Sequence, residues 1–294
     1  MLSKRYTTKK QWEGYFFILP AMLFFLLFLI YPILFNIVIG FFKWNGIGAN
    51  FSYVGLGNYI KLFTDDPIIK TVFKNTGLLI LLMVPFNIGY GLIIAYLLNF
   101  KIRFTSIYRT LFFTPAIVPG VVVATLFGYI LQPSNGLLNT ILRRIGLDIF
   151  ALGWLSDPKV VIFTLIVVVG WLSIGFAMII YLAGLKSIPI EVCEAAQVDG
   201  ASEMGIFFKI ILPLLRSQHT ILIMLGIIGV FRLFDIVWVL TKAGPAHQSE
   251  ISATYIYHTS IIANNVGYAS AIAVIVFIIV LTFTIFQLYI FRKK

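Results

Sequence analysis

Long runs of apolar residues, separated by short polar connections, dominate the pattern along the chain. Hydropathy averaged over windows of about 19 residues predicts six apolar helices, at approximately 15–42, 72–98, 108–132, 160–184, 213–240 and 263–291. About 20 apolar residues are needed to cross the hydrocarbon core of a bilayer, and each run reaches that length. The pattern therefore predicts an all-α membrane protein with six transmembrane helices.

The polar connections contain Gly, Pro, Asn or charged residues, and the sequence has neither an internal repeat nor a low-complexity linker. We therefore expect one six-span domain over approximately 15–291, flanked by short cytoplasmic segments at 1–14 and 292–294. The first apolar run starts at Tyr15 and is too long for the core of a signal peptide. No small-residue cleavage site follows it, so we interpret it as a retained first span.

Composition supports a membrane location. The 294 residues are 60% hydrophobic and only 11% charged, whereas about 25% of the residues in a soluble domain are charged. The net charge of +11 comes from Lys and Arg in the connections and at the ends, a distribution typical of membrane topology and anionic lipid contact rather than of nucleic-acid binding. Cys193 is the single cysteine and the three histidines lack ligand-like spacing, so we expect neither an intramolecular disulfide nor a metal site.

Lys and Arg also indicate the orientation in the membrane. An even number of spans places both chain ends on the same side, and both ends are basic. The short connection between spans two and three adds Lys101, Arg103 and Arg109. Because short cytoplasmic segments carry an excess of Lys and Arg, we expect both termini, and the connection at 185–211, to be cytoplasmic.

The connection between spans four and five concentrates acidic residues in this basic chain. The stretch EVCEAAQVDGASEMGIFFKIILP, at 191–213, holds Glu191, Glu194, Asp199 and Glu203, four of the chain's 11 acidic residues. Its pattern predicts two short helices separated at Gly200, where the missing side chain permits a positive φ. Anionic head groups repel an acidic helix, which therefore suits a protein partner better than the lipid surface. A solvated charged loop is the alternative interpretation.

The same stretch resembles the EAA loop of bacterial ATP-binding-cassette importers. The resemblance is carried by Glu194-Ala195-Ala196, then Gly200-Ala201, and then Ile210-Ile211-Leu212-Pro213. It extends over nearly the whole chain through NYIKLFTDDP, TPAIVPG, LFDIVWVLTKAGP and GYASAIAV, which are similar to permease subunits of the maltose and glycerol-phosphate type. Ser217 and Ala243 depart from the family pattern, and both positions concern helix ends.

The resemblance implies a type I importer permease fold in which residues 185–211, called the coupling segment below, dock on a separate ATPase. Glu194 would anchor the helix, Gly200 would form its bend, and Pro213 would open span five at a first-turn position. The coupling residues implied are Glu194, Ala195, Ala196, Asp199, Gly200, Ala201 and Pro213.

The family also implies the partners of such a chain. These are a second homologous permease, two ATPase subunits, an extracytoplasmic solute-binding protein and the lipid bilayer of a bacterial cytoplasmic membrane, with a sugar as substrate and no nucleic acid. The sequence has no GxxxxGK[ST] phosphate loop. We therefore expect ATP and Mg to bind the ATPase subunits, and this chain to be a transport subunit without catalytic residues or a cofactor.

Offsets from the family motifs place cavity-lining positions on spans three to five. They are Ala116, Gly120, Leu172, Ser173, Phe176, Gly226, Gly229, Val230 and Leu233. Most of these side chains are small or apolar, so we expect weak sugar contact from this subunit, with Phe176 as a possible stacking face.

Two ionisable residues lie within span five. Arg232 and Asp235 are functional candidates because ionisable groups in a membrane span are rare and costly. Their separation of three residues would also let them pair on a helix, and Asp235 could serve an outer gate. A secondary, ion-coupled carrier is the main rival function, and only this pair could supply its ion site.

Overall fold

The computed structural model describes residues 8–100 and 103–292, most of which are helical. The first half contains α1 (Thr8–Phe25), α2 (Tyr31–Ile39), β1 (Phe42–Lys43), β2 (Ser52–Tyr53), α3 (Gly57–Thr64), α4 (Pro67–Leu78), α5 (Val84–Asn99), α6 (Thr105–Ile117), α7 (Gly120–Ile130) and α8 (Leu137–Arg144). The second half contains α9 (Val161–Lys186), α10 (Ile190–Val198), α11 (Glu203–Ile206), α12 (Leu212–Leu214), α13 (Arg216–Arg232), α14 (Asp235–Thr241), α15 (Ser252–Tyr257) and α16 (Val266–Arg292). Single π-helical turns occupy Leu26–Ile30, Leu79–Met83, Phe207–Ile211 and His258–Ile262, and a 3₁₀ turn occupies Asp148–Phe150.

The predicted helical membrane protein is confirmed. Four helical segments, Tyr15–Ile39, Pro67–Asn99, Val161–Lys186 and Val266–Ile290, are long and apolar enough to cross a membrane. Two bent pairs raise the number to six if each pair is one span. They are Thr105–Ile117 with Gly120–Ile130, bent by 95°, and Glu203–Leu214 with Arg216–Arg232, bent by 63°.

Spans three and five differ from the continuous helices that the sequence predicts. Span three breaks at Val118, which has an extended backbone (φ −73°, ψ 131°), because Pro119 disfavours the helical conformation of the residue before it. In span five, α13 ends at Arg232 and a new helix begins at Asp235. Pro213 lies near the end of the helical run Glu203–Leu214 rather than in the first turn of a span.

The chain forms two compact units. The first contains the described residues up to Asp65 together with Ile256–Ile275, and the second contains the described residues of Asp66–Tyr255 and from Val276 onwards.

A short hairpin organises the first unit. Its antiparallel strands pair Phe42 with Tyr53, and the Asn58 amide donates hydrogen bonds of 2.9 Å to the carbonyls of Gly40 and Phe42. Because Phe42 enters this hairpin, the first helical span ends at Ile39.

Close packing of α5 on α9 organises the second unit. Gly91 allows the two helices to approach, since a β-carbon there would lie 2.5 Å from the β-carbon of Ala177. One buried cluster surrounds Leu165 and Val237. A second, called the Tyr181 cluster below, comprises Leu92, Ala95, Leu98, Ala177, Met178, Tyr181, Leu182, Leu185, Ile206, Ile211, Leu215 and Leu222.

Buried polar groups tie α4 to the segment before α15. The Asn75 amide donates to the carbonyls of Gln248, at 2.8 Å, and Glu250, at 3.0 Å. The hydroxyls of Thr76 and Ser252 are 3.1 Å apart. These bonds satisfy backbone and side-chain groups that would otherwise be buried without partners.

Candidate functional site

The coupling segment forms two helices around a turn at Gly200. The first, α10, starts after Pro189 and ends before Gly200, whose φ of +81° is a left-handed conformation. Ser202 caps the second helix by accepting a hydrogen bond of 3.2 Å from the backbone N–H of Gly205. The segment therefore forms the two short helices that its pattern predicts, separated at Gly200.

The two faces of the coupling segment differ in character. Glu194, Ala195, Asp199, Gly200 and Ala201 are exposed. On the opposite face, Cys193 and Ala196 are half-buried and pack against the Tyr181 cluster. Most of the predicted coupling residues are therefore exposed to solvent, whereas Ala196 attaches the segment to the Tyr181 cluster.

The Tyr181 cluster joins the coupling segment to two long helices. Ile206 and Ile211, which follow the turn, are buried in this cluster together with Tyr181 and Leu185 of α9. The Tyr181 hydroxyl lies 2.5 Å from Nδ1 of His219 on α13. Packing therefore connects the coupling segment directly to α9 and α13.

A cavity of about 470 Å³ lies further along the same helices. Eight of the nine positions expected from motif offsets line it, namely Ala116, Gly120, Leu172, Ser173, Phe176, Gly226, Gly229 and Leu233. Val230 does not, because its side chain is 1% exposed and belongs to the buried cluster around Leu165. That position is corrected to a core residue.

Helix α5 and the turn before it contribute wall residues that sequence reasoning missed. Met83, Val84, Asn87 and Ile88 all line the cavity. An amide in the middle of an apolar span is the signal that could have identified Asn87, since polar residues within spans usually have a partner or a function. Its side chain is 9% exposed.

Arg232 and Asp235 have different environments. Asp235 lines the cavity, and a β-carbon at Gly120 would collide with its carboxylate. Arg232 ends α13, is exposed, and is absent from the cavity wall. Within the described part of the chain, Arg232 and Asp235 do not form the ion pair that their spacing would allow.

Comparison with known proteins decides the family. The family of binding-protein-dependent transport system inner membrane components matches residues 87–294. The chain belongs to this family. The permease is 37% identical to a probable ABC transporter permease protein of Pyrococcus horikoshii, over 93% of each chain. It is 30% identical to the lactose transport system permease protein LacF of Rhizobium radiobacter, over 99% of each chain.

Solved structures agree with this assignment. The permease superposes with a TM-score of 0.85 and 25% identity on a chain of a bacterial ABC transporter that imports the acidic polysaccharide alginate, covering 97% of this chain and 96% of that one. A chain of a bacterial alginate ABC transporter in complex with an alginate pentasaccharide-bound periplasmic protein gives a TM-score of 0.84 at 26% identity. The protein therefore has the type I permease fold and is a multi-pass transport subunit of a binding-protein-dependent importer, and an ion-coupled carrier is not favoured.

Proposed function

We propose that this permease moves a sugar or an oligosaccharide through the cavity by alternating access, driven by ATP hydrolysis in separate subunits. The observation that carries the proposal is the position of the cavity. It is bounded by α5, α9 and α13, and these helices also form the Tyr181 cluster to which the coupling segment is attached. Lactose and alginate transport by the related proteins support the substrate class.

Movement of the ATPase subunits would act on the permease through the coupling segment. Its exposed residues, including Glu194 and Gly200, offer a helical surface with an acidic character. Two ATPase subunits would grip it and the equivalent segment of a second homologous permease, and would bind the ATP and Mg that this chain has no motif to bind. Displacement of the segment would move α9 and α13 through the Tyr181 cluster, since packed side chains transmit displacement.

Docking of the coupling segment on cytoplasmic ATPase subunits implies an orientation of the permease in the membrane. The coupling segment and both termini would be cytoplasmic, in agreement with the basic residues of the short connections. An extracytoplasmic binding protein would deliver the solute to the opposite face.

Obstruction of the cavity tests this function. A β-carbon at Gly229 would meet no atom within 4 Å, so in Gly229→Leu the new side chain would enter the cavity without disturbing its wall. Gly226→Leu would also disturb the cavity wall, because its β-carbon would lie 3.0 Å from Cγ1 of Val84. Gly128→Leu is the matched control, since Gly128 also has open space and is not in the cavity wall.

The measurement is ATP-dependent uptake into proteoliposomes that contain the complete transporter, with the solute captured by its binding protein. We expect Gly229→Leu to reduce uptake by about tenfold or more while the subunits still co-purify, because the added side chain narrows the passage and creates a steric barrier of roughly 1.4 kcal/mol or more. Gly128→Leu should transport normally. Normal uptake in Gly229→Leu would contradict the proposal.

A further inference from the structure

Asn87 is an unusual group in the wall of the cavity. It lies on α5, which is otherwise apolar at this level, and its side chain is 9% exposed. Its Oδ1 atom is fully buried and accepts no hydrogen bond within the described part of the chain. This oxygen faces Gly170 on the neighbouring helix α9, where an added β-carbon would contact it at 3.5 Å.

A buried amide without a partner is uncommon because it has lost its water without gaining a hydrogen bond. An amide carries two donor hydrogens and an acceptor oxygen, and rotation by 180° exchanges them with little change of shape. A sugar hydroxyl both donates and accepts, so it can pair with either end. Asn87, a residue of the cavity wall, therefore holds an unused hydrogen-bonding group that suits a hydroxyl once rotation of the side chain turns the oxygen towards the cavity.

Ser173 in the same wall is not equivalent. Its hydroxyl donates to the Val169 carbonyl at 3.0 Å and is thus engaged within α9. Asn87 is consequently the neutral side chain with the greatest free capacity to bind a solute there.

The charge of the wall indicates which solutes it accepts. No Lys, Arg or His of the described residues lines the cavity, whereas the carboxylate of Asp235 does. In a site with low-dielectric walls, a single carboxylate repels anionic groups and accepts hydrogen bonds from hydroxyls. This chain therefore offers an acidic saccharide no cationic partner in the passage.

We propose that Asn87 is a specificity-determining residue that hydrogen-bonds a hydroxyl of the solute in transit, and that this solute is an uncharged, hydroxyl-rich molecule rather than an acidic saccharide. The inference rests on the proposed function and assigns the substrate class of that cavity. It distinguishes this permease from the transporter of acidic alginate that shares its fold.

The test uses proteoliposomes with the complete transporter and four radiolabelled probes: lactose, raffinose, arabinotriose and an alginate trisaccharide. We expect uptake of at least one uncharged probe and little uptake of the alginate trisaccharide. For the transported probe, Asn87→Leu and the smaller Asn87→Ala should each lower uptake by about fivefold, the equivalent of roughly one lost hydrogen bond, and Asn87→Gln should recover part of it.

Two measurements separate solute contact from a structural role. Asn99→Leu is the matched control, because Asn99 is exposed at the end of the same helix and lies outside the cavity wall; its uptake should stay within about twofold of the parent. ATPase activity stimulated by the binding protein should also stay within about twofold in all variants, so that solute delivered per ATP falls in Asn87→Leu and Asn87→Ala alone.

The other possible results of these measurements would each contradict one part of the proposal. Unchanged uptake in both Asn87→Leu and Asn87→Ala, or an equal fall in uptake and ATPase activity, would overturn the role of Asn87. Preferred uptake of the alginate trisaccharide would overturn the uncharged substrate class. Uptake of none of the four probes by the parent transporter would overturn the proposed sugar transport and this inference with it.

Discussion

The phenolic oxygen of Tyr181 lies 2.5 Å from Nδ1 of His219, so a side-chain hydrogen bond joins α9 to α13. Both residues are adjacent to the coupling segment, and Tyr181 is fully buried in the cluster that attaches it. Both helices also line the cavity, through Phe176 and Gly226. This bond therefore lies on the physical route between the coupling segment and the cavity.

Removal of the Tyr181 hydroxyl should weaken this connection. In Tyr181→Phe, the His219 ring loses its hydrogen bond with the Tyr181 hydroxyl, and we expect the free energy of unfolding to fall by about 0.5–1.5 kcal/mol. Thermal unfolding of the purified complex measures the effect as a lower melting temperature. Tyr129→Phe is the control because Tyr129 is 73% exposed. Equal melting temperatures for the two variants would show that the bond does not stabilise the permease.

The contact between α5 and α9 offers a matched pair of glycines. A β-carbon at Gly91 would lie 2.5 Å from the β-carbon of Ala177, whereas one at Gly89 would have no neighbour within 4 Å. We expect Gly91→Ala to destabilise the permease by about 1–3 kcal/mol through overpacking. Gly89→Ala should be neutral, or stabilising by up to about 1 kcal/mol, because alanine is the better helix former.

Thermal unfolding of both glycine variants provides the measurement. The account requires Gly91→Ala to unfold at a clearly lower temperature than Gly89→Ala. The reverse order would mean that α5 and α9 do not pack at the distance described here.

The hydrogen bonds of the Asn75 amide should protect the connection that precedes α15 from proteolytic cleavage. In Asn75→Leu, the carbonyls of Gln248 and Glu250 both lose their donor, and an unsatisfied buried group costs about 1–3 kcal/mol. We expect faster proteolytic cleavage between Thr241 and Ser252, measured by limited proteolysis of the purified complex. Asn99→Leu, which removes an exposed amide, should be cleaved at the parental rate.

The backbone at Gly200 predicts a graded response to substitution. Its φ of +81° is unfavourable for residues with a β-carbon, although no atom lies within 4 Å of the position that a β-carbon would take. Gly200→Val should therefore be strained by roughly 1–2 kcal/mol, whereas Gly200→Asn should be tolerated better because asparagine adopts left-handed conformations more readily.

Co-purification of the ATPase subunits with these two variants measures the consequence. We expect Gly200→Val to retain much less ATPase than Gly200→Asn, and Tyr129→Phe, an exposed substitution outside the coupling segment, to retain the parental amount. Equal retention by Gly200→Val and Gly200→Asn would show that the turn is not needed for docking.

The sequence predicted the fold well where a long apolar run decides it. Helices α5, α9 and α16 end within two residues of the predicted ends of spans two, four and six, because a membrane span is the structure that buries so much apolar surface. The breaks in spans three and five were missed, although Pro119 was visible, because proline is tolerated inside membrane helices when neighbours satisfy the freed carbonyls. Whether such a residue kinks a helix or ends it depends on packing that hydropathy does not report.

The cavity residues were likewise predicted only in part. Motif offsets correctly predicted eight cavity-lining positions, but the ninth, Val230, is buried away from the cavity. An offset gives a position along a helix and does not give the direction of its side chain. Asn87 was missed because no motif surrounds it, and only the neighbouring helices reveal that its amide lacks a partner. The possible pairing of Arg232 with Asp235 assumed a continuous helix, and the break between α13 and α14 removes that geometry.

Docking of the coupling segment on an ATPase is the central claim, and one introduced cysteine tests it directly. Cys193 is the single cysteine of the chain, so Cys193→Ser provides a background in which the permease has no other thiol. Ala195→Cys in this background places a thiol at an exposed position of α10, next to Glu194. The test attaches a maleimide photo-crosslinker to this thiol in membranes that contain the whole transporter, irradiates them, and identifies the crosslinked protein. The control carries Val167→Cys in the same background, which places the label on an exposed position within a span. The account predicts that the Ala195→Cys variant crosslinks to an ATPase subunit and that the control does not; crosslinking of the Ala195→Cys variant to lipid or to the binding protein, with no ATPase product, would contradict it.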